Sequence, residues 1–145
     1  MNNQFDGDKI PNKKLLRRLE IKIRATKEIH NLGISAHIKG YEYVREAIVL
    51  VVEDRKNIVG VTKILYPKVA KTFGSTATRV ERAIRHAIEI GCDRCSPDKL
   101  NDMFKYTIRW DKGKPTNSEF IAMVADKIRL DMELASEIGN LEDEN

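Results

Sequence analysis

Apolar residues recur every three or four positions through most of the chain, which is the spacing of an amphipathic α-helix. Glycine, proline and short polar stretches interrupt this pattern and divide the chain into segments of helical length. The predicted helices cover residues 11–33, 40–54, 57–66, 67–73, 76–91, 96–104 and 116–132, and residues 107–115 are predicted as a loop. The β-branched run at 48–53 lies inside a longer segment of helical period, so strand signals are weak. We therefore predict an all-α fold, a compact bundle of about six helices.

The first and the last of the long helices each carry a set of apolar residues at helical spacing. In the first helix these residues are Leu15, Leu16, Leu19, Ile23 and Ile29. In the last helix the residues available for burial are Phe120, Ile121, Val124, Ile128 and Leu130. We expect residues 14–132 to form the folded domain, residues 1–13 to be a disordered linker remnant, and the acidic residues 133–145 to be a disordered tail.

The segment from Tyr66 to Arg85 has the spacing of two short helices joined by a tight turn. Pro67 suits the first turn of a helix, because the backbone N–H that it lacks is not needed there. Gly74 follows where the chain must adopt a left-handed conformation, and Ser75 or Thr76 can then cap a second helix. This order of helix, glycine turn and helix is typical of a helix-turn-helix, which we therefore place within the bundle.

The second helix of this pair has one apolar face and one basic face. At about 100° per residue the apolar residues fall together, and this face is predicted to pack on the core; it contains Val80, Ala83, Ile84, Ala87, Ile88 and Gly91. Arg79 and Arg82 point the other way near the start of the helix, where a helix in the major groove of DNA reads base edges. Each guanidinium can bind guanine O6 and N7. Phosphate contacts are predicted for Lys71, Ser75, Thr76, Thr78, Arg85 and His86. An ordinary helical hairpin with a charged outer face is the alternative interpretation.

Glu81 lies among these arginines and has two interpretations. Its carboxylate can accept a hydrogen bond from the amino group of cytosine, which favours sequence-specific binding. It can instead form an ion pair with Arg85 one turn later on a solvated helix, worth a few tenths of a kcal/mol. The residues by themselves do not decide between these two roles.

The distribution of charge favours a polyanionic partner. The 145 residues carry a net charge of +4, but the last 15 contain six acidic and no basic side chains. Without those six acidic residues the net charge would be +10. Basic charge also keeps proteins soluble, so charge alone does not identify the partner.

Other functional classes find little support in the sequence. No apolar run is long enough to span a membrane and the N-terminus lacks the apolar core of a signal peptide, so we expect a cytoplasmic location. Cys92 and Cys95 have no second ligand pair, which favours reduced thiols over a metal site, and no cofactor is expected. His30, His37 and His86 are scattered, and no phosphate-binding loop or nucleophile-base grouping is present, so an enzyme is not predicted.

Three stretches resemble one known family. The stretches GISAHIKGYEYVREAI, TKILYPKVAKTFGSTATRVERAIRHAIE and KPTNSEFIAMVADKIRL are similar to the C-terminal DNA-binding effector domain of the stage-zero sporulation protein A response regulators. The resemblance covers roughly residues 14–131. It implies a transcription regulator of sporulation initiation, an activator and repressor that reads TGTCGAA-like boxes in double-stranded DNA. In this family the effector follows a phosphorylated receiver domain of a two-component system, and we expect no receiver within these residues.

The resemblance also implies roles for individual residues. Arg79, Glu81 and Arg82 match the run of the family that contacts bases, and Arg85 and His86 match its phosphate-contacting pair. The segment KGKPTNSEF resembles a loop of the family, which implies DNA backbone contacts from Lys112, Lys114, Thr116 and Ser118. Thr116 and Ser118 have the alternative role of capping the last helix.

Protein partners are implied as well. By resemblance, a surface around residues 95–108 that includes Phe104 would contact the sigma factor of RNA polymerase, and tandem boxes would bring two copies together as a homodimer. Phe104 is equally well explained as a core residue. The alternative function for the whole chain is a protein-interaction module that binds an acidic partner through the same basic face.

Overall fold

The computed structural model describes residues 12–104 and 114–144, and these are helical apart from short turns. The helices are α1 (Lys13–Asn31), α2 (Tyr41–Glu53), α3 (Lys56–Val59), α4 (Tyr66–Phe73), α5 (Ala77–Arg94), α6 (Pro97–Phe104) and α7 (Asn117–Asp143), with a π-helical segment (Val61–Leu65) between α3 and α4. Six of these helices have two turns or more, and α3 is a single turn. The prediction of an all-α bundle that contains a helix-turn-helix is confirmed.

Helix α2 lies at the centre of the bundle and packs against α1, α5 and α7. Seven of its 13 residues are buried, on more than one side of the helix. A helix that is apolar over most of its surface is one that other helices surround. The surrounding helices supply the largest fully buried side chains, which include Ile21 and Ile29 of α1, Ile84 and Ile88 of α5, and Phe120, Ile121 and Ile128 of α7.

The buried side of α1 differs from the set of apolar residues that the sequence suggested. Of the five residues in that set, only Ile29 is fully buried. Leu15, Leu16, Leu19 and Ile23 are 65%, 49%, 51% and 61% exposed, whereas Ile21 and Ala25 join Ile29 in the core. The physical reason is that α1 has two apolar stripes, each at four-residue spacing and offset from the other by two positions. Both stripes satisfy the helical pattern, and only the one that faces α2 is covered.

Helix α7 extends beyond its predicted end. The expected end near Met132 and the expected disorder from residue 133 are wrong, because the helix continues to Asp143. Leu134 and Ile138 continue the spacing of Leu130, and the segment contains no proline that would end the helix. Leu130 itself was expected to be available for burial but is 55% exposed. The outer limits of the folded domain remain a prediction.

Basic side chains join α1 to α2 and to α7. The guanidinium of Arg18 forms ion pairs with both Glu46 and Glu53 of α2. Lys127 of α7 lies 2.9 Å from the carboxylate of Glu28 on α1, whose side chain is only 10% exposed. The ammonium group beside Glu28 gives this buried carboxylate the partner it requires.

The start of α2 touches the middle of α5. Gly40 precedes α2 with a φ of 101°, and a Cβ atom at this position would lie 2.3 Å from the backbone carbonyl oxygen of Ala83. Only glycine combines this backbone conformation with so close an approach. The contact helps to fix the position of α5 relative to the core.

Candidate nucleic-acid interface

The turn between α4 and α5 has the backbone geometry that the sequence predicts. Gly74 adopts a left-handed conformation with φ 62° and ψ 39°, and its N–H donates to the carbonyl of Ala70. A Cβ atom at Gly74 would meet nothing within 4 Å, so the backbone conformation alone favours glycine there. Thr76 caps α5 by accepting a hydrogen bond from the N–H of Arg79 at 3.2 Å.

The burial of α5 sets which of its side chains face solvent. Val80, Ile84 and Ala87 have no exposed surface, and Ile88 is 1% exposed. This apolar face packs against α2, α4 and α7. The predicted DNA-contacting residues lie on other sides of the same helix, where Thr78, Arg79, Arg82, Arg85 and His86 are exposed.

Arg79 and Arg82 are the two basic residues nearest the start of α5, and both side chains are exposed. Within the described ranges 12–104 and 114–144, neither guanidinium forms an ion pair or a hydrogen bond. A guanidinium without a protein partner keeps its five N–H donors available for base edges or phosphates. Lys71 of α4 is also exposed.

Glu81 and Arg85 form the ion pair that the sequence offered as the alternative to a base contact. The carboxylate of Glu81 lies 3.2 Å from Nε of Arg85, and the two side chains are 37% and 56% exposed. A pair as exposed as this stabilises a helix by about 0.3–0.5 kcal/mol. Separating Glu81 from Arg85 so that each can bind a ligand would therefore require little free energy.

The start of α7 is tied to the helix-turn-helix by Asn117. Its side-chain amide donates to the hydroxyl of Tyr66 at 3.0 Å and to the backbone carbonyl of Glu81 at 3.3 Å. Burial raises the pKa of Tyr66, which keeps the phenol neutral. Neither Tyr66 nor Asn117 was predicted to belong to the site, because their hydrogen bond joins positions 51 residues apart.

A groove of about 660 Å³ lies between α5 and the segment that leads into α7. Its lining includes Glu81, Arg85, Lys114, Thr116 and Ser118. Five of the predicted DNA-contacting residues, from two separate stretches of sequence, therefore meet at one surface.

Two residues of this groove have partners within the protein. The ammonium group of Lys114 lies 2.7 Å from the carboxylate of Asp93, and this hydrogen-bonded carboxylate raises the pKa of Lys114. Thr116 forms a capping box with Glu119: its hydroxyl oxygen accepts from the N–H of Glu119, and the carboxylate of Glu119 accepts from the N–H of Thr116. The capping role expected as an alternative for Thr116 is therefore present.

Two predicted contacts cannot be placed. Lys112 lies outside the described residues, and so does the side chain of Phe104.

Cys92 and Cys95 are free thiols, and burial raises the pKa of Cys92 to about 11. In the part of the chain that the structure describes, no three His, Cys, Asp or Glu side chains lie close enough together to hold a metal ion.

A membrane crossing would require one of the helices to be both long and apolar. Across residues 12–104 and 114–144, none of them combines the length and the apolar character that a crossing requires.

The chain matches the family model described as sporulation initiation factor Spo0A C terminal over residues 25–128. The matched residues include the whole helix-turn-helix, α2 and the first part of α7. The family is a DNA-binding regulatory family rather than an enzyme family. The chain belongs to the Spo0A C-terminal family, and it is a response-regulator effector domain that binds DNA and regulates transcription at the initiation of sporulation.

Proposed function

We propose that this domain reads TGTCGAA-like boxes in the major groove of DNA through the first turns of α5. The observation that carries the proposal is the position of Arg79 and Arg82. Both are exposed near the N-terminus of α5, and the opposite face of the helix is buried at Val80 and Ile84. A helix held in this way can enter the major groove with its arginines directed at base edges.

In the proposed complex three side chains of α5, those of Arg79, Glu81 and Arg82, contact bases. Arg79 and Arg82 each bind a guanine through O6 and N7, and Glu81 accepts a hydrogen bond from the amino group of a cytosine. Glu81 must first leave Arg85, from which it is 3.2 Å away in the free protein. Arg85 would then bind a phosphate, so its positive charge again has a partner.

Phosphate contacts come from both sides of α5 in this proposal. On the side of the turn they come from Lys71, Ser75, Thr76 and Thr78, and on the side of the groove from Arg85, Lys114, Thr116 and Ser118. His86 of α5 and Lys112, which lies outside the described residues, are further proposed phosphate contacts. The capping roles of Thr76 and Thr116 are compatible with this, because each hydroxyl oxygen accepts a backbone N–H. The hydroxyl hydrogen of each remains available to donate to a phosphate oxygen.

Two further parts of the proposal rest on the family resemblance. Two copies would occupy tandem boxes as a homodimer, and a surface around Phe104 would contact the sigma factor of RNA polymerase. We also propose that the domain acts in the cytoplasm.

The test is a fluorescence-anisotropy titration with a TGTCGAA-box duplex and a scrambled duplex over a series of salt concentrations. Arg82→Ala should weaken binding to the box by about 1–3 kcal/mol and relax the preference at one base pair. Arg17→Ala is the matched control, because Arg17 is an exposed arginine on α1 rather than on α5.

Two results would contradict the proposal. Equal affinity of the unsubstituted domain for both duplexes would favour a module that binds an acidic protein partner. An unchanged affinity and preference in Arg82→Ala would remove this residue from base recognition.

A further inference from the structure

Helices α1 and α7 lie side by side and run in opposite directions. Near the end of α1, Glu28 pairs with Lys127 of α7. Towards the start of α1, Arg17 lines a cleft together with Glu137, ten residues later in α7. The two helices therefore form an antiparallel pair whose far end is built from the start of α1 and the last turns of α7.

A groove of about 660 Å³ runs between these two helices. Its lining includes the apolar residues Leu16, Leu19 and Ile23 of α1 among polar ones, and Lys127 and Asp131 of α7. Helical spacing places Leu130, Leu134 and Ile138 on the same side of α7 as Lys127 and Asp131. The six apolar residues Leu16, Leu19, Ile23, Leu130, Leu134 and Ile138 therefore border one surface, which we call the distal face.

The distal face exposes more apolar surface than scattered single residues would. Its six side chains are large and aliphatic, and each is between 47% and 61% exposed. Exposed apolar side chains grouped on one side of a folded domain in this way mark an interaction site. All six residues lie outside residues 25–128, the part of the chain that matches the family model. The distal face is therefore a feature of this chain beyond the matched region.

Opposite charges flank the two sides of the distal face. Helix α1 carries seven basic and two acidic side chains, with Lys22 and Lys27 beside its apolar stripe. From residue 131 onwards the chain contains six acidic and no basic side chains, with Glu137 and Glu142 beside the stripe of α7. The α1 side of the face is thus mainly basic, and the α7 side is acidic from residue 131 onwards.

The geometry points to a second copy of this chain as the partner of the distal face, in a two-fold dimer that places α1 of each copy on α7 of the other. A two-fold interface uses the same patch on both subunits, so each basic half meets an acidic half twice. Pairing α7 with α7 would bring like charges together, as would pairing α1 with α1. An arrangement with α1 on the partner's α7 covers both apolar stripes and opposes unlike charges at once.

This contact is separate from the proposed DNA-binding surface. Leu134 lies 17 residues beyond Asn117, which contacts the backbone of α5. At about 1.5 Å per residue, that separation along α7 is roughly 25 Å. The dimer therefore needs no DNA, and it is distinct from pairing on tandem boxes.

Sedimentation of the full 145-residue chain without DNA, from about 1 µM to about 1 mM, tests the proposal. The chain should pass from monomer to dimer and stop there, because a two-fold contact is closed. The double substitution Leu134→Gln, Ile138→Gln should remain monomeric throughout. Val59→Gln is the matched control, because Val59 is 88% exposed and lines a cleft with Ser118 at the opposite end of α7. It should dimerise like the unsubstituted chain.

Charge reversal tests the pairing itself. One variant carries Lys22→Glu and Lys27→Glu, and the other carries Glu137→Lys and Glu142→Lys; all four side chains are exposed, so both variants should fold. Each variant alone would oppose like charges at both contacts and should stay monomeric. An equimolar mixture should restore the dimer, because both contacts then join unlike charges.

Two results would overturn the proposal. One is a chain that stays monomeric at about 1 mM. The other is a Leu134→Gln, Ile138→Gln variant that dimerises as strongly as the Val59→Gln control. Failure of the mixed charge variants to associate would overturn the pairing of α1 with the partner's α7.

Discussion

Basic side chains serve different purposes on α5 and on α1. Arg79 and Arg82 of α5 have no ion-pair partner among the described residues, and both are exposed. Arg18 of α1 is held between Glu46 and Glu53 of α2. The same residue type therefore contributes to the fold on α1 and remains available to a ligand on α5.

The difference follows from what lies opposite each helix. Arg18 projects towards α2, where Glu46 and Glu53 are separated by two helical turns and lie on one side. The outer face of α5 projects into solvent, and Glu81 is its one acidic residue in the first two turns. That residue is paired with Arg85, so the pairing does not involve Arg79 or Arg82. Net charge alone would not distinguish these two groups of arginines.

A substitution at the contact between the start of α2 and α5 should have the largest effect. It should disturb both the packing of the core and the position of the DNA-binding helix α5. Gly40→Ala places a Cβ atom 2.3 Å from the carbonyl oxygen of Ala83, at a φ of 101°. We expect the free energy of unfolding to fall by about 2–4 kcal/mol, from overpacking and from the left-handed backbone. Chemical denaturation measures this, and affinity for DNA should fall because α5 moves relative to the core.

Gly74→Ala is the matched control for this prediction. Gly74 has a similar left-handed backbone, but a Cβ atom there meets nothing within 4 Å. The free energy of unfolding of Gly74→Ala should fall by about 1–2 kcal/mol, from the backbone conformation alone. Equal losses in the two variants would show that the contact with Ala83 adds nothing.

Arg18→Ala should lower stability and leave DNA affinity unchanged. The substitution leaves Glu46, whose side chain is 11% exposed, without its guanidinium partner. We expect a loss of about 1–3 kcal/mol in the free energy of unfolding, measured by urea denaturation. Arg82→Ala should show the reverse, with stability within about 0.5 kcal/mol of the parent and weaker DNA binding. A stability loss in Arg82→Ala as large as in Arg18→Ala would remove the distinction between the two regions.

Lys114 is intermediate, because it is exposed but already paired with Asp93. Lys114→Ala should weaken binding to all DNA sequences and lower the slope of log K against log salt by about 1. Asp93→Ala should strengthen binding to all sequences by about twofold, because it releases the ammonium group and removes a charge that repels phosphate. If Asp93→Ala instead weakened binding, the ion pair would be positioning Lys114 rather than competing with DNA.

The inner side of α5 differs from its outer side in carrying a buried thiol, Cys92. Burial raises the pKa of Cys92 from 9.0 to about 11, so at pH 8 it should hold about a hundredfold less thiolate than an ordinary cysteine. Cys92 in a Cys95→Ser background should therefore react slowly with iodoacetamide. The rate should rise as the pH approaches 11, because the thiolate is the reactive form. Cys95 in a Cys92→Ser background is the control, and equal rates at pH 8 would show that Cys92 is not buried.

The helix-turn-helix could be predicted from the sequence because its determinants are local. Pro67 in the first turn of α4, the left-handed Gly74 and the cap at Thr76 each act within a few residues of their own position. Helix α5 has a single apolar stripe, so only one orientation buries it. The ion pair between Glu81 and Arg85 could be named as one of two alternatives for the same reason, since i,i+4 spacing brings the two side chains together.

What the sequence by itself determined is therefore the set of helices, the turn between α4 and α5, and the direction in which Arg79 and Arg82 point. Tertiary structure decided which of the two apolar stripes of α1 is covered, and it joined Arg18 to Glu46 across 28 residues and Asn117 to Tyr66 across 51. It also decided that the later apolar residues of α7 would remain exposed. The physical reason is that caps, turns and i,i+4 pairs depend on neighbours along one helix. Contacts between helices depend on which faces meet, and two faces that look alike in sequence have different surroundings only after the chain has folded.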